Sequence, residues 1–301
     1  MCPASPAATN AEIARIRRFL RAVTREAGAL DASFLGRGRP LGAARLLHAI
    51  GADGRDLAAV RADLALDSGL MSRLLRGLEA EELVSLAADP ADRRRRIARP
   101  TAKGLAELAA YDRLSDRRAA ALLAGFGGQA APLLEAMDRI AASLLRDRIA
   151  IDRHDPEAPA ARACLAAYYA ELAQRFETGF DPAHSLDPAA ADMRPPRGAF
   201  LIAQADGLAL GCVGLKGQGG TTAEVKRLWV APEARGQGLA RRLLAAAEEA
   251  ARGLGIDRLR LDTNRTLTEA IALYRRAGWS EIPAFNAEPY AHHWFEKRLA
   301  P

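Results

Sequence analysis

Glu224-Val225-Lys226-Arg227-Leu228-Trp229-Val230-Ala231-Pro232-Glu233-Ala234-Arg235-Gly236-Gln237-Gly238-Leu239-Ala240-Arg241-Arg242-Leu243-Leu244 is the stretch on which the fold turns. Val225, Leu228, Trp229 and Val230 favour a strand, and Pro232, which has no N–H to donate, ends it. Leu239, Leu243 and Leu244 then recur at helical spacing. The join, Arg235 to Gly238, carries two glycines. Glycine lets backbone approach a ligand closely, and the first N–H groups of a helix point outward unpaired. Together they suit a pyrophosphate. A glycine-rich turn that only caps a helix has the same composition, so the loop alone leaves both readings open.

The loop is more specific than its glycines. Arg235-x-x-Gly238-x-Ala240 after an apolar strand resembles the acetyl-CoA loop of the GNAT N-acetyltransferases, Q/R-x-x-G-x-G/A. Arg258-Leu259-Arg260-Leu261-Asp262-Thr263-Asn264 reads as the next strand. Glu269 to Trp279 resembles that family's A-x-x-L-Y-x-x-x-G-F helix and turn. The resemblance covers about residues 195–299 and implies an α/β GNAT fold with a mixed central sheet. It implies acetyl-CoA as co-substrate. Arg235, Gly236, Gln237, Gly238, Leu239 and Ala240 would hold its pyrophosphate, largely through backbone N–H groups. The edge Leu228, Trp229 and Val230 would pair with the pantetheine arm, and Asn264 would contact the cofactor.

Acetyl transfer needs a neutral amine, a positioned thioester and a proton donor for the departing thiolate. N–H groups of the Leu228–Val230 edge could polarise the thioester carbonyl. The resemblance places Tyr274 as general acid. It places Glu224 where histone-type members carry a catalytic glutamate, able to accept the amine proton directly or through water. The plain alternatives are a packed aromatic beside Ile271 and a surface strand residue. Asn264 departs from the family in its longer separation from Tyr274.

At 301 residues the chain predicts about two domains. Half its residues are hydrophobic, enough for two cores. Its net charge of +6 permits nucleic-acid or CoA binding and proves neither. Cys2, Cys164 and Cys212 form no metal-ligand spacing and no disulfide framework, so no metal is expected and a reducing cytoplasm suits the chain. No apolar run approaches a membrane span, and the N-terminus lacks a signal-peptide core.

Residues 1–10 read as a disordered tail, 11–150 as one domain and 151–301 as a second. Ile13, Ile16, Phe19, Leu20 and Val23 share one face of a helix from Glu12 to about Leu30. Short helices follow at Leu41 to Ile50 and Leu57 to Leu64, the latter capped by Asp56. A longer helix runs from Ser68 to about Glu82, forming a helix-turn-helix with the one before it. Leu83 to Leu86 and Arg93 to Ala98 read as a hairpin turning at Asp89-Pro90-Ala91-Asp92.

A basic hairpin directly after a helix-turn-helix resembles the wing of MarR-type winged-helix regulators. The match rests on Asp92-Arg93-Arg94 and Thr101-Ala102-Lys103-Gly104 and covers about residues 11–150. It implies a mainly α winged helix-turn-helix domain that binds double-stranded DNA as a homodimer through its long helices. Arg93 and Arg94 would enter the minor groove, where the potential is most negative. Arg73 would read bases in the major groove, with Ser72 and Arg76 on phosphates. Two departures stand out. Glu82 occupies a position where the family often has glycine and is not expected to adopt the left-handed cap easily, and Pro100 replaces a leucine. A solvated arginine-rich hairpin with no DNA role is the alternative.

In the second domain a helix runs from Cys164 to about Thr178; the GNAT resemblance implies that this region walls the substrate side, which makes Tyr168, Glu171, Arg175 and Phe176 candidates for an acceptor pocket, with ordinary packing as the alternative for the aromatics. Asp206-Gly207 signals a hairpin. Asn286, Tyr290 and one of His292 and His293 are further acceptor-side candidates. The whole reads as a DNA-binding regulator fused to an enzyme that acetylates a small-molecule amine. Two other readings stay open: a regulator whose second domain senses acetyl-CoA or a metabolite, and an enzyme acetylating a protein.

Overall fold

A computed structural model describes residues 8–89, 92–186, 189–217 and 219–299. Cys2, most of the tail, Pro90 and Ala91 at the hairpin tip lie outside them. The chain divides into two compact units, one ending at Ala130 and the other beginning at Ala131. The sequence places this division after residue 150. The helix before that point groups with the second unit because Ala142 and Ile149 pack into that unit's core.

The first unit is mostly helical. Helix α1, Asn10–Glu26, opens on a reciprocal cap between Thr9 and Glu12 and buries none of its residues. Helix α2, Leu41–Ile50, buries Leu46, Leu47 and Ile50. Strand β1, Arg55–Asp56, leads into α3, Leu57–Asp63, where Asp56 accepts from the Ala59 N–H as expected. Helix α4, Ser68–Ala80, starts on Asp67, which accepts from Leu70 N–H. Strands β2, Val84–Ala88, and β3, Arg96–Pro100, pair antiparallel, and β1 pairs with the far side of β3. Helix α5, Ala102–Phe126, is capped by Thr101.

The turn between α4 and β2 corrects one expectation. Glu82 does adopt the left-handed conformation, with φ 57°. Its N–H donates to Glu79 O, and Leu83 N–H donates to Leu78 O, both at 2.9 Å. Those two bonds close a Schellman motif, and the apolar partners Leu78 and Leu83 are both buried beneath it. The motif imposes the conformation that glycine adopts without strain. Gly104 explains the rest of the Thr101–Gly104 match: a Cβ there would lie 1.9 Å from the Leu83 carbonyl oxygen.

The second unit holds α6, Ala130–Leu144, then β4, Ala150–Arg153, and α7, Pro159–Arg175. Strands β5, Ala199–Ala205, and β6, Leu208–Gly217, form the hairpin expected at Asp206-Gly207, both residues having positive φ. The organising stretch becomes β7, Thr222–Val230, and α8, Leu239–Arg252. Strand β8, Arg258–Thr263, helix α9, Thr268–Arg276, and strands β9, Ser280–Ile282, and β10, His293–Arg298, complete it. The sheet order is β4-β5-β6-β7-β8-β10-β9, antiparallel except between β7 and β8. Leu239, Leu243 and Leu244 of α8 are buried against it, with Leu210, Val213 and Leu259 in the same core. Cys164 and Cys212 are buried free thiols.

Candidate functional site

The one parallel junction makes the site. β7 and β8 pair only from Thr222↔Arg258 to Glu224↔Arg260. Beyond Glu224, β7 continues to Val230 with no partner strand on that side among the described residues. A bulge accompanies the separation. The β6–β7 register shifts between Cys212 and Gly214, and Arg227 sits there at φ 58°.

Two cavities flank the parted strands. The outer one, about 570 Å³, is bordered by Trp229, Val230, Arg235, Gly236, Gly238 and Ala240 among others. The inner one, about 90 Å³, is bordered by Lys226, Arg227, Asp262, Asn264, Tyr274 and Tyr290 among others. Tyr168, Leu172, Leu228, Leu267 and Ala270 border both, so the cavities meet there.

The loop at the outer cavity has open space above it. Gly236 and Gly238 have φ 76° and 78°, and a Cβ at either would meet nothing within 4 Å. The glycines therefore serve the left-handed backbone rather than tight packing. Gly238 is the N-cap of α8, so no side chain caps the first N–H groups of that helix. Gln237 does not border the cavity; its amide donates to Glu233 O at 3.4 Å. Arg235 donates to Val230 O at 3.0 Å and pairs with Glu171. Glu171 also accepts from Trp229 Nε1 at 2.9 Å and pairs with Arg175 at 3.2 Å. Burial would raise the Glu171 carboxyl; Arg235, Trp229 and Arg175 outweigh it and hold it low. Arg175 in turn pairs with Glu269 at 2.7 Å, linking α7 to α9.

At the inner cavity, burial first and the charge of Asp262 second push the Tyr274 phenol well above its ordinary range. It stays protonated at neutral pH. Its ring packs near Trp279 and Phe295, with centroids 6.0 and 5.7 Å away. Lys226 pairs with Asp262 and, at 3.3 Å, with Glu224. Burial would lower the ammonium; Asp262 and then Glu224 outweigh it and keep it charged. Glu224 is itself buried and borders neither cavity. Asn264 borders the inner cavity rather than the outer, and spends its amide on Tyr290 O at 2.8 Å and Thr266 N–H at 2.9 Å. Asn286 donates to Asp262 at 3.0 Å, whereas His293 turns to Glu281 at 2.7 Å and neither histidine borders the cavity.

Sequence reasoning missed Lys226, Asp262 and Glu171 as a charged frame. No local motif announces them, because each partner lies on a different element. Among the described residues no group of His, Cys, Asp and Glu has the arrangement of a metal site.

In the first unit, Ser72, Arg73 and Arg76 are exposed on α4, and Arg93 and Arg94 are exposed at the β2–β3 turn. Ser72 donates to Ser68 O at 2.8 Å, and Arg76 donates to Ser72 O at 3.3 Å.

The profile of the acetyltransferase (GNAT) family matches residues 165–279. The chain is 40% identical over 93 residues to an IAA acetyltransferase of Azospirillum brasilense, covering 30% of this chain and 59% of that one. It is 33% identical over 121 residues to the uncharacterized N-acetyltransferase YjgM of Escherichia coli strain K12, covering 39% of this chain and 71% of that one. An acetyltransferase of the GNAT family from Staphylococcus aureus is 16% identical, with a TM-score of 0.44, covering 50% of this chain and 99% of that one. The chain thus spans 59% of the length of the first of these relatives. With the parted strands, the glycine loop and the profile falling on the same residues, the chain belongs to the acetyltransferase (GNAT) family.

Proposed function

We propose that the second unit is an N-acetyltransferase that moves an acetyl group from acetyl-CoA to the amine of a small molecule. The observation that carries this is the parting of β7 from β8, with an uncapped helix start at one cavity and a protonated tyrosine at the other. The outer cavity fits the cofactor. It is the larger of the two, its glycine loop is open, and Arg241 and Arg276 on its border supply positive charge.

The backbone N–H groups from Gly236 to Ala240 would hold the pyrophosphate. The unpaired edge at Leu228 to Val230 would line the pantetheine arm. Acetyl-CoA, when bound, supplies the acetyl group as a thioester. The amine nitrogen bonds to the carbonyl carbon, the carbon–sulfur bond breaks, and Tyr274 gives its phenolic proton to the departing thiolate. Asp262, which borders the inner cavity, is the carboxylate placed to take the proton released by the amine. Glu224 pairs with Lys226, borders neither cavity and would act through a water. Calorimetric binding of acetyl-CoA tests the site. The wild type binds, and Gly238→Val, strained at φ 78° and bulky in the loop, loses at least tenfold in affinity. Unchanged affinity in that variant would contradict the placement.

A second activity rests on a separate observation: exposed arginines on α4 and on the hairpin that follows it. We propose that the first unit is a winged helix-turn-helix that binds double-stranded DNA. The α1 stripe Ile13, Ile16, Phe19, Leu20 and Val23, each 42–59% exposed, is the face a second copy would cover in a homodimer. Binding of the full chain to a labelled random-sequence duplex, followed against salt, tests this reading. In the alternative, the second unit only senses acetyl-CoA or a metabolite for the first; cofactor binding without turnover on any amine supports that alternative. Among the described residues no helix is long and apolar enough to cross a membrane, and we propose a cytoplasmic site of action.

A further inference from the structure

We infer that the acceptor amine carries an uncharged aromatic ring, and that an aromatic wall built from α7 and two loops binds that ring. The inference rests on the acetyltransferase reading and names its substrate class.

Charge at the inner cavity is already neutralised within the protein. Its charged border, among the described residues, is Lys226, Arg227, Asp262 and Glu288. Lys226 is balanced by Asp262 and Glu224. Asp262 also accepts from Asn286 Nδ2 at 3.0 Å, which leaves it the proton of the reacting amine and no second charge to hold. Glu288 accepts from Ser185 Oγ at 2.9 Å, Leu186 N–H at 2.7 Å and Tyr290 N–H at 3.3 Å, so it staples two loops together. The Arg227 guanidinium donates to Met193 Sδ at 3.7 Å, and its Cζ stands 5.9 Å from the centroid of the Tyr169 ring. A carboxylate or a second ammonium on the acceptor would be buried here without an opposite charge of its own, which is costly.

Aromatic surface is what the cavity still offers. Aromatic residues are 5% of the chain, yet Tyr168, Tyr169, Phe176, Phe180, Tyr274 and Tyr290 all border this one cavity and include four of the five tyrosines. Tyr168, Leu172 and Phe176 recur every four residues along α7 and its C-terminal end, which turns them to one side. Phe180 comes from the loop after α7 and Tyr290 from the loop before β10. The rings meet in series. Centroids of Tyr168 and Tyr169 are 5.5 Å apart, those of Tyr169 and Phe180 5.6 Å, and those of Phe180 and Tyr290 4.9 Å. Phe176 meets Phe180 edge-on at 5.8 Å.

This wall is fixed before a ligand arrives. Tyr290 Oη accepts from Asp181 N–H at 3.1 Å, and Tyr290 O accepts from the Asn264 amide at 2.8 Å. A preordered wall lowers the cost of binding. Tyr168, Tyr169, Phe180 and Tyr290 are half-buried rather than closed into the core, so they keep surface for a ligand. A flat ring laid on them gains burial and ring-to-ring contact together. Tyr168 borders both cavities, so the wall begins where the thioester and the amine would meet. At about 90 Å³ the space suits a single ring on a short linker.

The test is thiol release from acetyl-CoA with four acceptors: phenethylamine, propylamine, phenylalanine and a butanediamine with an amine at each end. Acetyl-CoA affinity is measured by calorimetry on the same proteins. In the wild type kcat/KM for phenethylamine exceeds that for propylamine by about 30-fold, the gain from burying a phenyl group, and exceeds those for phenylalanine and the diamine by at least as much. Phe180→Leu loses about tenfold more on phenethylamine than on propylamine, through KM, and Phe180→Tyr recovers most of the difference. Retained acetyl-CoA affinity in Phe180→Leu shows that the variant is folded, and the wild-type ranking decides the inference without it. A wild type that uses propylamine, phenylalanine, the diamine or any other amine without an aromatic ring as well as phenethylamine overturns the inference while leaving the acetyltransferase reading intact. Equal loss on phenethylamine and propylamine in folded Phe180→Leu does the same. A wild type that releases no thiol with these four or with a broad panel of amines overturns both.

Discussion

Glu107→Gln tests how the first unit is held together. Glu107 accepts from Arg37 Nε at 3.0 Å and from Arg39 at 2.7 Å, and its side chain is 8% exposed. Arg39 also bonds Tyr111 Oη and pairs with Glu81, so the cluster ties the segment before α2 to α5 and to the end of α4. The Arg37 hydrogen bond first, then that of Arg39, hold the Glu107 carboxyl at about 2, against the upward push of burial, where the ordinary value is 4.5. A lowered folded-state pKa contributes stability that is fully present above the unfolded value and is lost as pH falls toward the folded one. That window runs from about 4.5 down to about 2. The full displacement corresponds to about 3 kcal/mol. Arg37 is 40% exposed, so water screens its share, and we expect about 2 kcal/mol from the glutamine variant at pH 7. Hydrogen exchange by mass spectrometry on peptides from α4 and α5 of the full chain reads this locally, as about 30-fold faster exchange after correction for intrinsic rates. At pH 3 the difference shrinks to less than half. A difference between wild type and variant that is the same at pH 7 and pH 3 would refute the linkage.

Three further outcomes follow from the same structure. Glu82→Gly relieves about 1–2 kcal/mol of left-handed strain, offset by about 0.5–1 kcal/mol of extra chain freedom, and slows exchange in α4 by a few-fold; slower exchange is absent only if Glu82 is not held at positive φ. Gly104→Ala drives a methyl into the Leu83 carbonyl and costs the first unit at least about 2 kcal/mol, read as loss of protection in β2 and α5. Replacing Arg93 and Arg94 by glutamine lowers the slope of log affinity against log salt on duplex DNA by about 2, and an unchanged slope would remove the hairpin from the interface.

Local chemistry made most of the fold legible. Leu239, Leu243 and Leu244 announced α8, Asp206-Gly207 announced the β5–β6 hairpin, and Asp56 announced the start of α3, because each signal is read within a few residues. The glycine loop and Tyr274 were legible for the same reason. What stayed hidden depends on partners far apart in the chain. Lys226 meets Asp262 only because β7 and β8 run parallel before parting. Arg227 reaches the cavity only through a bulge, which strand alternation does not foretell. Glu82 reads as unsuited to a left-handed turn by its own preference, and the bonds from Glu82 and Leu83 back to α4 override that preference. Glu224 matches a family position, and yet its side chain is buried against Lys226, 3.3 Å away. Composition points to the polar, proline-containing segment after residue 150 as the division between units, while the packing of Ala142 shifts it earlier.

Acetyl-CoA-dependent thiol release across a panel of amines and amino acids, run on the wild type and on Tyr274→Phe, tests the central claim most directly. The phenylalanine keeps the ring that packs near Trp279 and Phe295 and removes only the hydroxyl. The expected result is turnover on one class of amine and a fall in kcat of about 100-fold or more in the variant, with acetyl-CoA affinity retained. Turnover that is unaffected by the loss of the hydroxyl, or none on any amine despite tight acetyl-CoA binding, would contradict it.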